Sequence, residues 1–172
     1  MDAHRHPALD APEQDRIDYL IAVGSIAFAD GATDRAELMK LSEMCAALGL
    51  AGEGAQRVAA AASVPNRVEV ERILDRFRKS DLRVALLSDV LLISYADDRV
   101  STGEATEIAR FAKALDLTIA QAILIGRHVE ASVQGHGAEA LSHELAQKLA
   151  KLAASLPHHS VVRALFDRFR GR

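Results

Sequence analysis

Tryptophan is absent from the 172 residues, aromatic residues make up only 4%, and there is a single cysteine. With so few rings, a core has to be assembled from Ala, Leu, Ile and Val. The lone Cys45 rules out an internal disulfide and fits a reducing compartment. Long apolar runs are missing too: the longest uncharged one, Tyr19 to Ala29, falls far short of the roughly 20 residues that a membrane span requires. The opening Met1-Asp2-Ala3-His4-Arg5-His6-Pro7 has no apolar h-region, so no signal peptide is expected. A surplus of positive charge is lacking: the net charge is −3 and the sequence pI about 6.2, which argues against a general nucleic-acid binder. No Ser-His-Asp order and no paired-cysteine motif occurs, and Gly52-Glu53-Gly54 lacks the preceding strand that a nucleotide loop needs. Catalytic machinery is therefore not expected, and the protein reads as soluble and cytoplasmic.

What is present is helical periodicity in a chain that is 49% hydrophobic and 26% charged, long enough to bury a core as one domain. Residues 1–13, with two histidines and two prolines, read as a flexible N-terminal arm, His4 and His6 being solvated tail residues rather than metal ligands. From about Gln14 a helix carries Ile17, Leu20, Ile21, Gly24, Ile26 and Phe28 to Ala29, apolar on most sides and hence central. A second helix is expected to bury Leu38, Leu41, Met44, Cys45 and Leu48 and to stop at Gly49. A third covers about 53–63, and Pro65 breaks it. Asn66 should cap a fourth, with Val68, Val70, Ile73, Leu74 and Phe77 facing in and a self-paired charged face outside.

The next helix, Leu82 to Tyr95, is again apolar nearly all round, except for Asp89, which must lie on a wet stripe or find a partner. Ser101 and Thr118 cap two further helices, the latter carrying Ile119, Ala122, Ile123, Ile125 and Val129. Beyond Gly135 a Leu stripe at 141, 145, 149, 152 and 156 marks another helical segment, and after Pro157 comes a basic amphipathic tail. The tail is expected to pack on its own domain, with a membrane surface or a partner's groove as the other readings. His128, His136 and His143 could approach one another, although scattered surface histidines are the plainer reading. No segment reads as a strand.

An internal echo organises this string. Sliding residues 26–50 onto 93–117, an offset of 67, matches Ile26/Ile93, Ala29/Ala96, Asp30/Asp97, Glu37/Glu104, Leu48/Leu115 and Leu50/Leu117. Because caps as well as apolar positions match, the sequence reads as a duplication. Leu74-Asp75-Arg76-Phe77-Arg78 recurs as Phe166-Asp167-Arg168-Phe169-Arg170 at an offset of 92, which would place an insert of 25 residues, about the Leu-striped segment, in the second copy. The expected fold is all-α: one helical domain over 14–172, with repeat units at about 14–80 and 81–133 and a helical extension over 138–172.

The two acidic turns are the only hint of chemistry. Asp30, Asp34 and Glu37 crowd one, and Asp97, Asp98 and Glu104 the other. Hard cations such as Ca²⁺ or Mg²⁺ want such oxygen donors, more than Zn²⁺ does. The spacing is not that of an EF-hand, since Asp30 to Glu37 spans eight positions. Helix capping explains the same residues without a metal: Asp34 and Ser101 at the N-caps, Glu37 and Glu104 three residues on, acids at a positive helix end. Both readings stay open on the residues alone.

Ala29-Asp30-Gly31 followed by Glu37, repeated as Ala96-Asp97-Asp98 with Glu104, resembles the TerB family associated with bacterial tellurite resistance, over about residues 14–133. The resemblance implies an all-helical protein of two similar halves, with Asp30, Glu37, Asp97 and Glu104 at the positions proposed for metal binding. The second copy departs from the pattern, with Asp98 in place of the glycine and Ser101 in place of Asp34. A non-catalytic binding or scaffold module of stress response is implied, holding a divalent cation and meeting other proteins at the inner membrane face, with an oligomer left open. The alternatives are a metal-free interaction module and a carboxylate acid–base enzyme.

Overall fold

The computed structural model describes residues 6–28, 35–95 and 102–133; the side chains of Phe28 and of residues 131–133 are outside the description. Among these residues every regular element is helical: α1 Glu13–Gly24, α2 Arg35–Ala47, α3 Gly52–Ser63, α4 Arg67–Phe77, α5 Arg83–Ser94, α6 Thr102–Ala114 and α7 Ile119–Val133, with 3-10 turns at Pro7–Asp10 and Ser25–Phe28. The Leu-striped segment and the tail lie outside the described residues.

α1 and α5 form the centre. All residues from Ile17 to Gly24 and from Val84 to Leu91 are buried, as the all-round apolar character of the two segments requires. α1 packs against α5 and, most extensively, against α3; α5 packs most extensively against α7. α2 and α6 each bridge their own central helix and the helix that follows, and α4 lies between α1 and α6. The first helix was expected to run unbroken to Ala29, yet it tightens into a 3-10 turn at Ser25. Ser25 Oγ donates back to the Ala22 carbonyl at 2.8 Å, a local bond that competes with the helical ladder. Gly24 meanwhile sits so close to its neighbours that an added Cβ would lie 2.8 Å from Leu41 Cδ2 and 3.1 Å from Ala62 Cβ.

The offset of 67 recurs in the backbone. α2 and α6 both have 13 residues, and both their ends, like the starts of α3 and α7, differ by 67 positions. Their C-terminal ends close identically. Leu50 N–H donates to Cys45 C=O at 2.8 Å and Gly49 N–H to Ala46 C=O at 3.0 Å; Leu117 N–H donates to Ala112 C=O at 2.9 Å and Asp116 N–H to Lys113 C=O at 3.1 Å. This is the Schellman pairing, which needs a left-handed residue after the helix. Gly49 has φ +66° and Asp116 φ +56°.

Caps read from sequence hold elsewhere. Asn66 Oδ1 accepts from Val68 N–H and Glu69 N–H at 3.1 and 3.2 Å. Thr118 Oγ1 accepts from Gln121 N–H at 3.2 Å, and Gln121 Oε1 accepts from Thr118 N–H at 2.8 Å, a reciprocal box. The outer face of α4 is partly self-paired, through Arg67–Glu71 at 3.3 Å and Arg78–Asp75 at 3.5 Å. Arg76, however, reaches α1, donating to Asp18 and lying 3.5 Å from Asp15.

Two apolar residues expected to face inward, Leu38 and Val68, do not: both are exposed, as are Ile119 and Ile123 of α7. In α2 the inward stripe is Glu37, Leu41, Met44, Cys45 and Leu48; turning Glu37 in rotates the adjacent Leu38 out by about 100°.

The left-handed residue yields a test. A side chain at φ near +60° costs roughly 1–2 kcal/mol that glycine avoids. Asp116→Gly should therefore raise stability by about 0.5–1 kcal/mol, and Gly49→Ala should lower it by about 1 kcal/mol or more, its new Cβ also meeting Arg16 Nη1 at 3.2 Å. Urea melts of both variants check this, and a loss on Asp116→Gly would show that its backbone carries no strain.

Candidate functional site

The described core holds eight buried polar or charged residues: His6, Asp18, Glu37, Ser88, Asp89, Ser94, Glu104 and His128. Two are local. Ser88 Oγ and Ser94 Oγ donate back along α5 to the Val84 and Val90 carbonyls at 2.9 and 3.2 Å. Asp18 is held at the edge of α1 by Gln14 Nε2, 2.5 Å away, and by the Arg76 guanidinium.

Asp89 is wholly buried in the middle of α5. Its Oδ2 accepts from Tyr19 Oη at 2.8 Å and pairs with His6 Nε2 at 2.6 Å. His6 Nδ1 lies 3.0 Å from Ala8 N. A backbone N–H is always a donor, so Nδ1 has to accept, and the ring proton belongs on Nε2, donating to Asp89. Two donors thus converge on one oxygen, an arrangement that suits a carboxylate acceptor. Tyr19 also meets His6 edge-on, with ring centroids 5.7 Å apart, and Phe77 of α4 edge-on at 5.9 Å. Both nitrogens of His6 are thus committed within the cluster, which fastens the N-terminal turn to α5.

This overturns one expectation. Residues 6–12 are not a loose arm: His6 and Ala8 are buried, and Pro7–Asp10 makes a 3-10 turn whose first N–H groups His6 caps. Sequence periodicity could not find this, because seven residues with two prolines show no pattern to read. The oddity of Asp89 in an apolar run was the available signal. His128, expected at the surface, is also buried, on α7; His4, His136 and His143 lie outside the described residues.

Of the six acidic candidates, Asp30, Asp34, Asp97 and Asp98 lie outside the described residues. Glu37 and Glu104 are described, and they correspond. Each is the third residue of its helix, and each is buried, at 8% and 7% exposure. A carboxylate there faces the positive end of the helix dipole. Among the described residues no three His, Cys, Asp or Glu side chains converge into a group that could hold a metal ion.

No protein-family model matches the chain, and no curated protein and no solved structure matches it.

Two other titratable groups bear on chemistry. Burial pushes the Cys45 thiol up from its usual value, which suits a core residue and not a nucleophile. Burial, and then the nearby Glu130 carboxylate, push the Tyr95 phenol up as well, so it stays protonated through the neutral range. No helix among the described residues is long and apolar enough to cross a membrane.

The Asp89 cluster predicts a measurable coupling. Hydrogen bonds to a charged, buried acceptor are worth about 1.5–3 kcal/mol. Tyr19→Phe and His6→Ala should each cost about that much in a denaturant melt. In an Asp89→Asn background the cost of Tyr19→Phe should shrink by about 1 kcal/mol or more, because the acceptor is no longer charged. Strict additivity in this double-mutant cycle would mean that the tyrosine hydroxyl does not serve the carboxylate.

Proposed function

We propose that this chain is a non-catalytic binding or scaffold module of the TerB-like kind, with a divalent cation, Ca²⁺ or Mg²⁺ in preference to Zn²⁺, held at one or both acidic turns. The observation that carries the reading is the burial of Glu37 and Glu104 at equivalent positions of α2 and α6. In the sequence each glutamate follows a turn bearing two further aspartates, Asp30 and Asp34 or Asp97 and Asp98, and hard cations favour such clustered carboxylates. The matching helix bounds and C-terminal caps support an origin of the two units by duplication, and with it two related sites. The bacterial stress-response setting, a cytoplasmic location and a partner at the inner membrane face belong to the same proposal, on the strength of the resemblance in the turns.

A metal-free interaction module is the second reading. Leu38 and Met39 favour it, since they are exposed on α2 beside Glu37 and offer an apolar contact for another protein.

Titration with Ca²⁺, Mg²⁺ and Zn²⁺ separates the two. A bound cation raises stability by RT ln(1 + [L]/Kd), about 2.7 kcal/mol at a hundredfold excess over Kd. Glu37→Gln or Asp30→Asn should remove the gain at the first turn, and Glu104→Gln that at the second. The first turn should bind more tightly, because Gly31 lets the backbone bend where the second turn has Asp98. Neither heat nor thermal shift at about millimolar metal would leave the interaction module standing.

A further inference from the structure

Residues 6–12 carry bonds of their own. Leu9 N–H donates to the His6 carbonyl at 3.0 Å and Ala11 N–H to the Ala8 carbonyl at 3.1 Å, while Ala8 N–H donates to His6 Nδ1 at 3.0 Å. The segment can lift off the bundle without breaking any of these. What it buries is small: His6 and Ala8 are shielded, Pro7, Leu9 and Ala11 only partly, and Asp10 and Pro12 are exposed. Ala11 and Pro12 have ψ of 154° and 149° just before α1 begins, so a hinge there leaves α1 undisturbed.

The floor beneath His6 belongs to the core and not to the segment. Asp89 and Tyr19 come from α5 and α1, helices packed directly on each other, and their 2.8 Å bond does not pass through His6. Lifting the segment thus leaves a formed niche. It offers a carboxylate oxygen to accept one N–H, and a Tyr19 ring set at 85° to the plane of the ring it receives. Such a place selects flat N–H donors by geometry as well as by charge.

We propose that this niche is a binding site for an imidazole-type ring, filled at rest by the chain's own His6, and that residues 6–12 are the strap that opens and closes it. The ring of a free small molecule and the ring of a histidine on another chain meet the same requirement. Either occupant competes with His6, so its apparent affinity is reduced to the extent that the strap stays closed. The site is separate from the acidic turns and does not depend on their taking a cation.

Hydrogen exchange on the full wild-type chain tests the strap. The amides of Ala8, Leu9 and Ala11 should exchange about a hundredfold or more faster than those in the middle of α5, at rates that low urea does not change, as local opening requires. Exchange is then measured at mildly alkaline pH, where free imidazole is neutral. About 50 mM imidazole should speed the three strap amides about twofold or more by trapping the open form, and leave α5 unchanged. 1-Methylimidazole, which lacks the N–H, should do neither. His6→Gly adds a binding readout: imidazole should raise its melting temperature, with an affinity about tenfold or more above that for His6→Gly/Asp89→Asn. A peptide of residues 6–12 that binds His6→Gly more tightly than imidazole does marks a histidine of another chain as the occupant, and one that binds no more tightly marks a free ring. Strap amides that exchange only with global unfolding, equal responses to imidazole and 1-methylimidazole, or no imidazole binding to His6→Gly would each overturn the proposal.

Discussion

One buried charge sets much of this architecture. Asp89 interrupts a helix whose neighbours Val84 to Leu91 are all shielded from water, and an ionised carboxylate in such a place is tolerable only if protein donors replace its hydration. Those donors come from α1, through Tyr19, and from the N-terminal turn, through His6. The apolar surfaces of α1 and α5 could slide over one another with little penalty, whereas the tyrosine and the carboxylate meet in one register. Tyr19 then passes the constraint on: its ring lies edge-on to both His6 and Phe77, so α4 and the N-terminal turn are positioned by the residue that serves the charge.

Against this single pin stands a set of helices whose bounds recur at an offset of 67: α2 with α6, and the starts of α3 with α7. α1 relates to α2 and α3 much as α5 relates to α6 and α7, and apolar positions correspond across the offset: Leu20 with Leu87, Val23 with Val90, Ile26 with Ile93 and Val58 with Ile125 are all buried. The buried polar groups of the central helices do not correspond. Asp89 stands opposite Ala22, Tyr19 opposite Leu86, and Asp18 opposite Ala85. Packing is thus shared between the units while the electrostatics of the central pair are particular to each. An asymmetric pin breaks the degeneracy that two similar units would otherwise have in choosing partners.

How much of this was legible follows from where periodic signals exist. Helix locations, the caps at Asn66 and Thr118 and the turn after Gly49 could be read because each has a local residue preference behind it. Asp116 could take the same left-handed turn as Gly49 and was visible only through the repeat. Leu38 was expected inside and is exposed; the stripe through Leu41, Met44 and Leu48 is continued instead by Glu37, as i, i+4 spacing would have shown. His6 had no periodic neighbour at all, and its partner lies 83 positions away. Of the six candidate acids, the structure describes only Glu37 and Glu104, and their inward orientation was not read from the sequence, because a capping box is a local pattern that does not say which face the helix turns to the core.

The two kinds of buried acid in this fold differ in how their charge is met. Asp89 is central, and two side-chain donors come to it from other elements. Glu37 and Glu104 sit instead in the first turns of α2 and α6, where the helix end itself favours negative charge, by about 0.3–1 kcal/mol and up to ~2 when partly buried. That is less than a carboxylate loses on leaving water, so further donors or positive charge must act on each, and the same requirement falls on both units. A fold that merely needed two helix starts could meet it with Gln, which keeps the reach and drops the charge. An acid stands at both equivalent, inward-facing positions, so the helix starts of α2 and α6 share an electrostatic requirement that the central pair, α1 and α5, does not.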